Sequence, residues 1–241
     1  VLDGAMLGVL AGLGYTKLQV FRMPRVALIS TGDELMEADA ALLPGKIRNS
    51  SVYTLASYVR RCGAVSMRRG IVPDQAQPIA AAIAQAAEQS DLVLTTGGVS
   101  VGDYDMLRKA LELLGADILF WKIRMKPGAA FVAAVYQGKL ILCLSGNPSA
   151  AVVAFFLLGI PALRCMAGRR DVELEKIQVR LARPFGKKSP NRRFLPGKLE
   201  IRGGNAYLLQ AERQGNGMLH PLYGCNLLGE LPAGSPPMEQ G

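Results

Sequence analysis

Two periodicities alternate along the first two thirds of the chain. The runs Val26-Ala27-Leu28-Ile29 and Leu92-Val93-Leu94 are short, continuous and apolar, and each empties into polar and glycine positions. Runs of that kind suit parallel strands covered on both faces. Between them apolar positions recur at helical spacing. Residues 1–16 carry Leu2, Met6, Val9, Leu10 and Leu13 in such a series, closed by Gly14. Ser50-Ser51 offers a cap for a helix to about Arg61, with Gly63 as its stop. A strand over 64–72 follows, then an alanine-rich helix with Pro78 in its first turn and its end near Gln89. A helix from about Asp103 to Leu114, a strand over 117–123, and a hairpin of 131–136 and 139–144 around Gln137-Gly138 complete the series. The apolar stretch 150–166 approaches the length of a membrane span. It follows a Pro-Ser helix start and contains Gly159 and Pro161, so a buried helix is expected.

The pattern changes near residue 170. Short segments at 177–181, 194–201 and 207–210 are punctuated by Pro, Gly and Asn, as in a small β domain. The expected fold is α/β: a three-layer α/β/α domain with a mostly parallel sheet over 1–170, then an all-β domain over 171–241.

Composition narrows the function classes. The formal net charge is +9, which favours anionic partners. The basic residues come as scattered pairs such as Arg60-Arg61 and Arg192-Arg193 rather than as a dense arm, so a nucleic-acid partner is not expected, nor is a membrane. Cys62, Cys143, Cys165 and Cys225 form no CxxC pair, which argues against a zinc site or a disulfide framework and for a cytoplasmic setting. His220 is the single histidine, too little for a His-based metal site or a Ser-His-Asp triad. No charged segment of signal-peptide type is visible at the start.

Three glycine-bearing loops, 30–35, 96–103 and 145–149, follow the carboxyl ends of expected strands. Ligands of open parallel sheets bind there, and the second and third loops also precede helices whose N–H groups can face an anion. Each alone could be an ordinary strand–helix connection; three at equivalent ends imply one crevice. Around them lie Asp33, Glu34, Asp74, Asp103 and Asp105. Carboxylates beside a phosphate repel it unless a divalent cation bridges them, a role that suits Mg²⁺. Asp103 and Asp105 also fit as plain helix-start charges. Lys122 and Lys126 could hold phosphate or an oxyanion, or could be solvated lysines.

The motifs Ser-Thr-Gly-Asp-Glu-Leu (30–35), Gly-Gly-Val-Ser-Val-Gly-Asp-Tyr-Asp (97–105), Phe-Trp-Lys-Ile-Arg-Met-Lys-Pro-Gly (120–128) and Gly-Asn-Pro-Ser-Ala (146–150) stand in one order. Together with Gln214–Leu219 and Cys225–Leu228, they resemble the molybdopterin molybdenumtransferases, the MoeA and gephyrin E-domain family. The resemblance implies an enzyme of molybdenum cofactor biosynthesis. Such an enzyme takes adenylylated molybdopterin from a molybdopterin adenylyltransferase, hydrolyses the adenylate with Mg²⁺, inserts molybdate and works as a homodimer. It implies Glu34, Asp74 and Asp105 as metal-binding and catalytic acids, with Lys122 and Lys126 as oxyanion- and phosphate-binding lysines. The cradle for the pterin phosphate would use Thr31, Gly32 and Asp33, then Gly97, Gly98, Ser100 and Gly102, then Gly146, Asn147, Pro148 and Ser149.

Three departures accompany it. Two domains that precede this region in the family are absent from the sequence, so the chain could bind substrate yet turn it over poorly. Ala129-Ala130 stands where a lysine often follows the Lys-Pro motif, and Ser145 replaces the usual Pro. Two alternatives remain: the related molybdopterin adenylyltransferase, which typically has a Gly-Gly-Thr-Gly loop followed by Arg-Asp, and a non-catalytic molybdopterin-binding module.

Overall fold

The computed structural model describes residues 2–99, 106–211 and 218–240. In chain order the helices are α1 (Gly4–Gly12), α2 (Ser51–Arg61), α3 (Ala76–Gln89), α4 (Met106–Leu113), α5 (Pro148–Ala154) and α6 (Ile160–Met166). The strands of the first part are β1 (Arg25–Thr31), β2 (Leu35–Met36), β3 (Ile47–Arg48), β4 (Val65–Val72), β5 (Leu92–Thr96), β6 (Asp117–Trp121), β7 (Met125–Lys126), β8 (Phe131–Tyr136) and β9 (Lys139–Leu144). Those of the last part are β10 (Arg180–Leu181), β11 (Arg192–Arg202), β12 (Asn205–Gln210) and β13 (Leu227–Leu231).

The main sheet runs β4-β1-β5-β9-β8-β6. The pairs β1–β4, β1–β5 and β5–β9 are parallel, while β8 runs antiparallel to both β9 and β6. Alternation along the strands builds the layers. Val26, Leu28, Leu92, Leu94, Leu142 and Leu144 face α2, α5 and α6, where Leu55, Val59, Ala154 and Phe155 meet them. Ala27, Ile29, Val93, Ile141 and Cys143 face the other way, onto Ile79 and Ile83 of α3 and Leu107 and Leu111 of α4. The result is the expected three-layer arrangement with a mostly parallel sheet.

The second sheet has the order β10-β12-β11-β13 and a small core of Leu181, Leu195, Leu208 and Leu231. The strand expected over 177–181 is reduced to Arg180–Leu181, because Ile177 finds no cover and stands exposed. β7 leaves the first part of the chain and pairs in parallel with β11, Met125 opposite Arg192 and Lys126 opposite Arg193. The two sheets are thereby laced together.

Other elements shift from expectation. α1 covers only Gly4–Gly12, with Asp3 capping Met6, and buries none of its residues. Ser50 makes no side-chain cap on α2. β6 stops at Trp121 rather than 123, because Lys122 turns to φ +64°. The expected start of the helix before Met106 lies outside the described residues. The stretch Pro148–Met166 is helical throughout, widened to π geometry over Phe155–Gly159 ahead of Pro161, which has no N–H to donate. It is long and apolar enough to cross a membrane, but Ala150–Phe155 is buried within this fold.

Candidate functional site

The carboxyl ends of β1, β5 and β9 deliver three loops to one side of the sheet, and a cavity of about 600 Å³ opens there. Its walls include Thr31, Glu34, Asp74, Gly97, Gly98, Gly146, Asn147 and Pro148. Backbone crowding explains the glycines. Gly97 has φ +92°, and a Cβ there would stand 2.0 Å from the Thr31 carbonyl oxygen. A Cβ on Gly98 would come 2.9 Å from Thr31 Oγ1 and 3.5 Å from Asp74 Oδ1, and one on Gly146 would come 3.3 Å from Gly97 Cα. The loops pass so close that a side chain would fill the cradle.

Hydroxyl residues Thr31, Ser50, Ser51, Thr96 and Ser145 line the cavity. Ser30 Oγ donates to Asn49 Oδ1 at 3.1 Å and lies 3.1 Å from Thr96 Oγ1, all three residues being buried. Asp33 is used structurally: its Oδ1 accepts the Asp74 N–H at 3.1 Å, and its carbonyl accepts Lys46 Nζ at 2.7 Å. Asp74 Oδ1 is buried with no hydrogen-bond partner among the described residues. Burial, chiefly, and then the Asp33 and Glu34 carboxylates push the Asp74 carboxyl above the ordinary carboxylate range. Glu34 folds back over Gly32, where an added Cβ would meet Glu34 Oε2 at 2.6 Å.

An orphaned carboxylate oxygen beside a second acid is suited to a hard, oxygen-seeking cation. Among the described residues no group of three or more acids, histidines or cysteines is placed to hold a metal ion.

Of the residues singled out in the sequence, Gly32 and Asp33 adjoin this cavity without lining it. Ser149 and Lys126 line a second cavity of about 310 Å³, where Lys187 and Arg193 join them. Arg193 is held there by Ser189 Oγ at 2.9 Å and by the Phe185 ring. Because Pro148 lines the first cavity and Ser149 the second, the 146–149 turn separates the two. Lys122 lines neither; its Nζ lies 5.2 Å from the Trp121 ring centroid. Ser100, Gly102, Asp103 and Asp105 fall outside the described residues. Arg48, Asn49, Ser50 and Ser51, which line the first cavity, and Lys187 and Arg193 in the second stand outside the site residues expected from the sequence. The Asn-Ser-Ser run before α2 was the available signal for the former; nothing local marks the latter.

A mostly parallel α/β sheet with a crevice at its strand ends is the architecture of a ligand-binding domain of the doubly wound class. The particular family follows from comparison: the chain belongs to the family described as "Probable molybdopterin binding domain", which matches residues 27–165, and residues 178–241 match the MoeA C-terminal region, domain IV. The molybdopterin molybdenumtransferase of Staphylococcus aureus (strain COL) is 34% identical over 98% of this chain and 56% of its own length. That of Staphylococcus epidermidis (strain ATCC 12228) is 33% identical over 97% and 56%. The crystal structure of a molybdopterin biosynthesis MoeA protein from Pyrococcus horikosii superimposes with a TM-score of 0.83 at 28% identity, covering all of this chain and 58% of that one. The chain thus spans little more than half the length of these relatives.

Proposed function

We propose that the chain forms the substrate-holding part of a molybdopterin molybdenumtransferase. It takes adenylylated molybdopterin into the strand-end cavity, water cleaves the phosphate–phosphate bond to release AMP, and molybdate is inserted at the dithiolene. One observation supports this reading: three glycine-bearing loops converge on a cavity beside a buried carboxylate oxygen, Asp74 Oδ1, that has no hydrogen-bond partner among the described residues. The Gly97 and Gly98 amides hold phosphate oxygens as their negative charge grows. Glu34, Asp74 and Asp105 would hold Mg²⁺, which when bound neutralises the phosphates and supports attack at phosphorus. Lys126, in the neighbouring basic cavity, takes the molybdate oxyanion, and Lys122 adds positive charge on that flank. The resemblance extends the proposal to a cytoplasmic homodimer supplied by a molybdopterin adenylyltransferase.

The test is AMP release from purified chain given adenylylated molybdopterin, molybdate and Mg²⁺. Release that disappears in Asp105→Ala, with an unchanged melting curve, is the expected result. Full activity in that variant would remove Asp105 from the mechanism. Tight substrate binding without AMP release would favour a non-catalytic molybdopterin-binding module.

A further inference from the structure

The start of α2 forms another wall of the strand-end cavity. Ser50 gives the helix no side-chain cap, and no acidic residue sits in its first turn. Among the described residues the N–H groups of Ser51, Val52 and Tyr53 find no acceptor; the first bond of the helix is Thr54 N–H to the Ser50 carbonyl at 3.2 Å. A helix start left open in this way carries a partial positive charge of about half an elementary charge. Two side chains reinforce it. Asn49 is 2% exposed, lines the cavity, and has its Nδ2 without a hydrogen-bond partner among the described residues while its Oδ1 is taken by Ser30. Ser51 is 8% exposed and lines the same cavity. Unmet buried donors cost stability unless a ligand supplies the acceptor. Of these residues Asn49 and Ser51 line the strand-end cavity, whose carboxylates lie on the β1 and β4 side; Val52 and Tyr53, with Asn49, line a neighbouring hollow that also holds Glu37 and Asp39.

We infer that the α2 N-terminus, with Asn49 and Ser51, is a second phosphate subsite, separate from the Gly97–Gly98 and Gly146 loops. This rests on the proposed function and deepens it. A substrate built around two linked phosphates needs two oxyanion seats, and the cavity offers one on the glycine loops and one on α2. The α2 seat recognises a phosphate monoester or the outer phosphate of a diphosphate by N–H and O–H donation, without a basic side chain. The Arg48 guanidinium is spent on the Ala38 and Ala40 carbonyls, at 2.6 and 2.7 Å.

Calorimetric titration of the full chain with AMP, inorganic phosphate and adenosine tests this, in wild type, Ser51→Asp, Asn49→Asp and Gly146→Val. Ser51→Asp places a carboxylate in the first turn; Asn49→Asp keeps the acceptor for Ser30 and removes the Nδ2 donor. Both are expected to weaken AMP and phosphate about tenfold or more, and to leave adenosine unaffected. Ser51→Asp should melt no lower than wild type, since an acid stabilises an uncapped helix start; loss of binding without loss of stability separates a ligand seat from a structural cap. Unchanged phosphate affinity in both Asp variants, with loss in Gly146→Val, overturns the α2 seat and leaves the proposed function standing. Adenosine weakened as much as AMP overturns it as well, by showing general distortion. Absence of AMP binding to wild type sinks both.

Discussion

Asp74 is held in a place that opposes its own ionisation. Burial and the neighbouring Asp33 and Glu34 charges raise its pKa, so the folded state keeps the proton that the unfolded chain releases. A raised carboxyl pKa stabilises the fold at low pH, and that contribution is lost as pH rises through the folded-state value. At neutral pH the charge is a burden on the fold. Asp74→Asn should therefore raise the melting temperature at pH 7, with the gain shrinking to nothing below the ordinary carboxyl value of 3.8. Mg²⁺ should stabilise the wild type but not the variant. Equal stabilisation of both by Mg²⁺ would remove Asp74 from the metal's ligands. Asp91 is the opposite case: hydrogen bonds from Arg22, foremost, and from the Arg25 N–H at 2.8 Å hold its carboxyl below the usual range. Its contribution is present above the ordinary value and is lost as pH falls through the folded one.

At the scale of elements, two glycines that look alike in the sequence have different reasons. Gly63 ends α2 at φ +76° with open space around it; its N–H bonds the Arg60 carbonyl at 3.0 Å and Ala64 bonds back to Val59. Gly63→Ala should cost about 1 kcal/mol, the strain of a left-handed alanine. Gly97→Ala should cost about 3 kcal/mol or more, since backbone must also move away from the new Cβ. Chemical denaturation of the two variants checks the order, and equal costs would mean that the Thr31 contact yields freely. The stop at Gly63 was legible because a helix end needs only local conformation. The same holds for β1, β5 and the β8–β9 hairpin, where uniform apolar runs and a two-residue turn decide the outcome. What was not legible depends on distant partners. Ser50 reads as a cap, but the α2 start faces a cavity instead. The helical series in residues 1–16 promises a packed face, yet α1 touches no core. The strand near Ile177 fails for want of a neighbour. The site divides in the same way: loop positions such as Gly97 and Gly146 follow from strand ends, while Arg193 reaches its cavity only through the pairing of β11 with β7.

That pairing governs the whole molecule. β7 belongs by sequence to the α/β part but by hydrogen bonding to the second sheet. Phe194 makes the reverse journey: it lies on β11, yet at 3% exposure it packs into the core cluster of Met125, Phe131 and Phe155, while its neighbour Leu195 faces the small core of its own sheet. A single strand thus feeds two cores with alternate side chains, and the basic cavity of Lys126, Lys187 and Arg193 forms at their seam. Units that share a core should unfold together, even though the motif pattern divides the chain near residue 170. Removing the Phe194 ring leaves a cavity at the shared boundary and should cost about 3–5 kcal/mol. Scanning calorimetry of the wild type should give one transition, and Phe194→Ala should move it downward as one. A second, lower transition belonging to the β part alone would show that the two sheets unfold independently and that the lacing by β7 contributes little. The oxyanion seat proposed at Lys126 gives a linked readout. If the seam is lost, molybdate should no longer raise the melting temperature of Phe194→Ala, although AMP, whose proposed seat is on the strand-end side of the 146–149 turn, still should.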